Sequence, residues 1–395
     1  MTDRRPALIS VSNPRANSTR MAAVMLAGYC AFLSLYAPQP ILPLLSSLFH
    51  AGEVTVSLTL TVASLGVALA APVAGVLADR FGRKSIIVWS AFGLAATTLI
   101  SATSTTLPTL IFWRFFQGVC TPGVFSVTVA YVNDEWKEGA GAAVGSYVTG
   151  SVLGGFSSRI VSGFVAAHGP WQGVFVATGL MTLAGAFAVR AWLPTETHFH
   201  PHHYLEHHWL SGLRAHLRNR RLIATCVVGF CVLFSLVGIL TYVTFRLAAS
   251  PYLLAPAQLG LIFCVYLIGA AATPIAGRCA DRFGYRATLA GAAALALGGI
   301  ALTLASSLWV IIVGLSVFCA GIFTAQTCGS GYVGQAASQN RALAVGLYAA
   351  CYHTGGSIGA AIPGFVYAWG GWPACAGFIA VVQIASAWVA LAFWG

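Results

Sequence analysis

Gly75-Val76-Leu77-Ala78-Asp79-Arg80-Phe81-Gly82-Arg83-Lys84 sets four charged side chains between two long apolar runs. At an offset of 202 residues (75 to 277) the chain reads Gly277-Arg278-Cys279-Ala280-Asp281-Arg282-Phe283-Gly284-Tyr285-Arg286, with Asp-Arg-Phe-Gly again at its centre and apolar runs again on either side. A second correspondence extends the repeat. With an offset of 201, Gly346, Tyr348, Gly355, Gly356, Gly364 and Trp372 fall on Gly145, Tyr147, Gly154, Gly155, Gly163 and Trp171. The chain is two copies of one design.

With 58% hydrophobic and 7% charged residues and a mean hydropathy of +0.82, the chain has too little polar surface to clothe a water-soluble globule and belongs in a bilayer. Its apolar stretches are each long enough to cross a hydrocarbon core of about 30 Å, which takes about 20 residues. They lack alternation of period two, so they read as helices, the form in which a lipid-exposed backbone pairs within its own segment. The expected fold is an all-α membrane protein with twelve transmembrane helices in two pseudo-symmetric six-helix bundles. A tail (1–20) precedes the first bundle (21–193), and a His-rich linker (194–220) joins it to the second (221–395). The first apolar run is longer than a signal peptide's core and shows no clear small-residue cleavage site, so it reads as a retained helix. The ten cysteines sit in or beside predicted spans and read as small packing residues rather than a disulfide framework.

The net charge of +11 does not point to nucleic acid, because the basic residues are placed asymmetrically. With the N-terminus inside, seventeen of the twenty Lys and Arg fall on one side, Arg246 lies outside, and Arg114 and Arg159 remain within spans. By the positive-inside rule both termini are cytoplasmic.

The 75–84 stretch after the second apolar run resembles the signature loop of the major facilitator superfamily of transporters, and Arg114-Phe115-Phe116-Gln117-Gly118 resembles that superfamily's RxxQG element. The likeness covers residues 20–394 and is closest to the drug:proton antiporter and sugar-efflux-permease branch. It implies alternating access between two bundles, with the loop latching the outward-facing state. The fifth span departs from the antiporter pattern GPxxGG: Gly155 stands where proline is expected, and Ser158 and Arg159 stand where two glycines are expected.

In the latch, Gly75 and Gly82 permit close approach and a sharp turn, and Asp79 can face the helix N-terminus near Asn340-Arg341, where the dipole favours a carboxylate. Arg80 or Arg83 reaches Asp134 or Glu135, and Asp281 and Arg282 form a weaker copy. In the cavity, all nine acidic residues fall in loops or at helix ends, so the embedded charges are Arg114 and Arg159. Counted from the basic ends, Gln39, Arg114 and Arg159 lie at one depth of about 27 Å at 1.5 Å per residue and are expected to meet. An internal brace on carbonyls freed by Pro38, Pro40 and Pro43 is the competing role for Arg114. Gln117, Tyr242, Gln326 and His353 complete the candidate cavity, His353 as a proton relay or a packing histidine.

The linker carries seven of the ten histidines. Their density suits zinc, nickel or copper at His198, His200, His202, His203, His207 and His208, but a solvated linker without metal is the favoured reading. No GxxxxGK[ST] occurs, so no nucleotide site or cofactor is expected, and no catalytic machinery is apparent. The expected function is ion-coupled export of an anionic or neutral polar solute across a bacterial inner membrane by a monomer. The partners are that solute, protons and lipid, with no nucleic acid. A multidrug proton antiporter, a metal importer and a non-transporting membrane sensor are the alternatives.

Overall fold

The computed structural model describes residues 14–136, 140–196, 209–337 and 341–394, and among these there are helices and no strands. The first half comprises α1 (Pro14–Leu35), α2 (Leu42–Phe49), α3 (Glu53–Phe81), α4 (Arg83–Ser101), α5 (Leu107–Glu135), α6 (Ala140–His168) and α7 (Gln172–Trp192). After α8 (Trp209–Arg218) the second half comprises α9 (Arg220–Ala248), α10 (Pro256–Ile262), α11 (Val265–Phe283), α12 (Tyr285–Leu302), α13 (Leu308–Ala336) and α14 (Arg341–Phe393).

Ten stretches of described helix are long and apolar enough to cross a membrane. α14 supplies one span more than this count, because its backbone leaves helical geometry at Gly370 and Gly371 and Pro373 follows. With α6, 29 residues long, the total is the expected twelve. Two spans are broken by their own sequence. α1 and α2 are joined through a 3₁₀ turn at Gln39–Ile41, where Pro38, Pro40 and Pro43 remove backbone donors. α10 and α11 form another broken span.

Gly82 and Gly284 take φ of +89° and +81°, the region that side-chain-bearing residues avoid, and each lets one span turn sharply into the next. The repeated glycines of α6 and α14 have a different use. A Cβ at Gly150 or Gly154 would run into the backbone of Met25 or Tyr29 on α1, and one at Gly355 or Gly359 into Phe230 or Phe234 on α9. These four glycines seat helices within one half.

The linker is not wholly extended either. α8 occupies its last third, and His216 is buried there. His198, His200, His202, His203, His207 and His208 lie outside the described residues.

The end of the molecule bearing Arg80, Arg83, Arg190, Arg220, Arg282 and Arg341 is here called the basic end. The halves meet toward the other, far end. Gln39 donates to Thr241 Oγ1 (3.0 Å), Ser57 shares a hydrogen bond with Tyr242 (3.0 Å), and Ser357 donates to the Thr61 carbonyl (2.9 Å). Gly163 of α6 lies against Pro256 and Gly260 of α10. Toward the basic end, Gly75, Gly145, Gly277 and Gly346 each face open space, with nothing within 4 Å of where a Cβ would stand. The halves are closed at the far end and open at the basic end.

Candidate functional site

Between the halves lies a cavity of about 430 Å³ lined by both of them. Gln39, Arg159, Gln326 and His353 line it; Arg114, Gln117 and Tyr242 do not.

The two embedded arginines have separated roles. Arg114 is fully buried and donates from Nε to the Thr59 carbonyl (3.0 Å), from Nη1 to the Ser34 carbonyl (2.8 Å) and to Gln117 Oε1, and from Nη2 to the Leu35 carbonyl. The chain's own breaks create these acceptors. Pro38 has no N–H to offer Ser34, and the Gln39 N–H turns back to the Tyr36 carbonyl, which frees Leu35. Gln117 completes the brace by donating to Ser101 (3.1 Å). Of the two roles read for Arg114, the geometry is that of the brace: Arg114 and Gln117 tie α1, α3, α4 and α5 together away from the cavity, and Arg114 does not meet Gln39 or Arg159.

Arg159 does meet Gln39, donating from Nε to Oε1 at 2.8 Å, and Nη1 donates to the Gly155 carbonyl at 2.6 Å. Gly155, standing where the antiporter pattern has proline, leaves Nη1 room to lie 3.4 Å from a would-be Cβ. Three rings face the guanidinium: Tyr36, Phe263 and Tyr266, with centroids 4.8, 4.9 and 5.1 Å from Cζ. Cation–π contact of this kind holds a desolvated arginine where no carboxylate does. Nη2 has no partner among the described residues, and no acidic residue lines the cavity. Gln39 therefore connects the cavity cation on one side to Thr241, across the closed far end, on the other.

His353 lies on the cavity wall of α14, edge-on to Phe125 and Tyr352 (both 5.5 Å), and its buried Nδ1 has no partner among the described residues. Tyr242 was expected in the cavity. It sits instead in the far-end seam, donating to the Ala360 carbonyl (2.6 Å) beside its bond with Ser57. Removing that hydroxyl while keeping the ring should loosen the seam. Tyr242→Phe is expected to raise the population open at the far end about fivefold, a shift worth about 1 kcal/mol for one hydrogen bond. A cysteine at Ser357, alkylated by an impermeant maleimide from the far side, reads this out. An unchanged rate would remove Tyr242 from the gate.

At the basic end Arg83 is the hub. It pairs with Asp134, donates to the Ala130 carbonyl and stands 3.9 Å from Asp79. Among the described residues Asp79 pairs with Arg83 alone, and its side chain is 55% exposed, as an open basic end requires. Gly75 faces open space, Arg80 lies over Phe81, and Glu135 shares a groove with Arg20. In the second copy Arg282 lies over Phe283 in the same way, but Tyr285 stands where Arg83 stands in the first, so Asp281 has no equivalent ion pair among the described residues.

Three features were not singled out from the sequence. Glu196 accepts the Lys84 N–H at the start of α4 and sits over Gly82, a carboxylate at a helix N-terminus supplied from 112 residues away. Thr241 and the three rings around Arg159 carried no local signal. The equivalent pair Tyr147 and Tyr348 was visible as a repeat, yet nothing in the sequence showed that both would face one cavity.

A family model described as Major Facilitator Superfamily matches residues 24–256 and 246–395. The chain is 31% identical over 368 residues to the uncharacterized MFS-type transporter YybF of Bacillus subtilis (strain 168), covering 93% of this chain and 91% of that one. It is likewise 31% identical over 363 residues to the inner membrane transport protein YnfM of Escherichia coli (strain K12), covering 92% and 87%. In fold it is similar to a mutant form of the nucleoside transporter NupG, with a TM-score of 0.76 at 12% identity, covering 95% of this chain and all of that one.

Proposed function

This chain belongs to the Major Facilitator Superfamily and is a transporter, and from that premise we propose that it exports an anionic or neutral polar solute, coupled to an ion gradient, across a bacterial inner membrane. The observation carrying the substrate class is Arg159, which presents an unpartnered Nη2 to a cavity lined by no carboxylate. In a low-dielectric surround that charge favours anions and disfavours cations. Export rests on the sequence resemblance to efflux permeases. Flux into everted membrane vesicles under an imposed proton gradient tests it: gradient-driven accumulation supports coupled export, whereas uptake by right-side-out vesicles alone overturns the direction.

A multidrug antiporter is the second reading. It is favoured by 30% identity to the multi-drug resistance efflux pump PmrA of Streptococcus pneumoniae, over 33% of this chain. The absence of any acid from the cavity lining weighs against cationic drugs.

The basic end is assigned to the cytoplasm by its Lys and Arg excess, which makes this conformation open inward. Cysteines at Thr105 or His168 should label from outside intact cells, and one at Glu196 should not; the reverse pattern would invert the assignment. When the basic end closes, Asp79 is placed to meet the N-terminus of α14. Asp79→Asn is then expected to lower transport about tenfold at near-normal expression, a loss of roughly 1.4 kcal/mol from one helix-end charge in a partly buried seam. Asp281→Asn should do less. Equal effects of the two would end the latch argument.

A further inference from the structure

The cavity is lopsided. Its cationic end is Arg159 with Gln39, and much of the remaining wall is rings: Phe32, Phe125, Tyr147, Phe323, Tyr348 and Tyr352 line it from both halves. Arg159 is the one Lys or Arg in that lining. A single bound negative charge neutralises it, while a dianion would leave an uncompensated charge out of water. With Nε and Nη1 already donating to Gln39 and Gly155, and rings over the guanidinium, the free edge at Nη2 suits one carboxylate.

Tyr147, Tyr348 and His353 line the cavity with their rings, while Tyr147 Oη, Tyr348 Oη and His353 Nδ1 are buried in the walls without a hydrogen-bond partner among the described residues. The two tyrosines are equivalent positions of the repeat and face one cavity from opposite halves. Ser151, Thr273, Gln326, Thr327 and Ser330 add polar groups to the lining, but the ring faces favour an apolar or aromatic body at offset or edge-on contact. A volume of about 430 Å³ suits a molecule of one to three rings.

We infer that the cavity takes ring-bearing organic monocarboxylates, with the carboxylate at Arg159 and Gln39 and the rings among the aromatic walls. This rests on the anion-selective reading above and narrows it.

Calorimetric titration of the purified full-length protein tests it with 6-hydroxy-2-naphthoate, 2-naphthoate, the matching carboxamide, naphthalene-2,6-dicarboxylate, 2-naphthylmethylammonium and gluconate. The two naphthoates should bind tightest, and the amide, the dicarboxylate and gluconate at least about tenfold more weakly, as expected when a charge-assisted bond or the ring contact is lost. Arg159→Gln should remove that preference for the carboxylate. If gluconate binds as tightly as hydroxynaphthoate and Arg159→Gln abolishes both, the ring preference is overturned and the anion reading stands. If the ammonium binds tightest and Arg159→Gln leaves it unaltered, both fall. Binding of none of the six overturns the inference.

Discussion

Arg159→Gln is expected to cut flux of an anionic solute by roughly 10- to 150-fold, the range set by the loss of a charged hydrogen bond worth about 1.5–3 kcal/mol. Its effect on stability should run the other way. Arg159 is 2% exposed, has no carboxylate near it in the cavity lining, and is held by two oxygens and three ring faces. A buried cation in such a site is retained at a cost in stability, so the neutral variant should melt at the wild-type temperature or above it. Arg159→Lys keeps the charge but not the planar edge or the stacking, and should fall between. Flux in proteoliposomes read beside thermal unfolding in detergent checks both signs. Unchanged flux, or a marked fall in melting temperature, would make Arg159 a structural brace.

Arg114→Leu should do what Arg159→Gln does not. The substitution strands the carbonyls of Ser34, Leu35 and Thr59 and the Gln117 amide oxygen in a site with no exposure. Each buried acceptor left unpaired costs about 1–3 kcal/mol, so the folded protein in the membrane should fall markedly. Arg114→Lys reaches fewer of the four acceptors and should recover part of the loss. Accumulation in membranes and thermal unfolding of the purified variants are the readouts. A leucine variant that accumulates and melts normally but fails to transport would place Arg114 in the transport path after all.

Both arginines sit at one depth along their spans, and depth is what a count of residues along a helix supplies. It does not supply the direction around the helix axis. Arg114 and Arg159 were therefore alike in the sequence, although the prolines after the first span did mark where stranded carbonyls would wait for a donor. The number of spans, the twin turns at Gly82 and Gly284 and the equivalence of α6 with the first leg of α14 were legible because apolar run length, a positive-φ residue and a repeat are all written locally. Which surface the glycines of α6 face was not, since close approach to α1 and close approach to the other half need the same small residue. Glu196 was unreadable for a further reason: its partner is a backbone N–H at Lys84, and nothing in the type of residue at either position announces the pairing.

An unopposed arginine that sets the sign of what passes through the cavity is what joins these observations. Wild-type protein in liposomes, given a carboxylate, its amide and its amine on one skeleton at equal concentration, measures that sign directly. The carboxylate should move fastest, the amide more slowly and the amine least. Fastest movement of the amine, at a rate that Arg159→Gln leaves unchanged, would contradict the assignment.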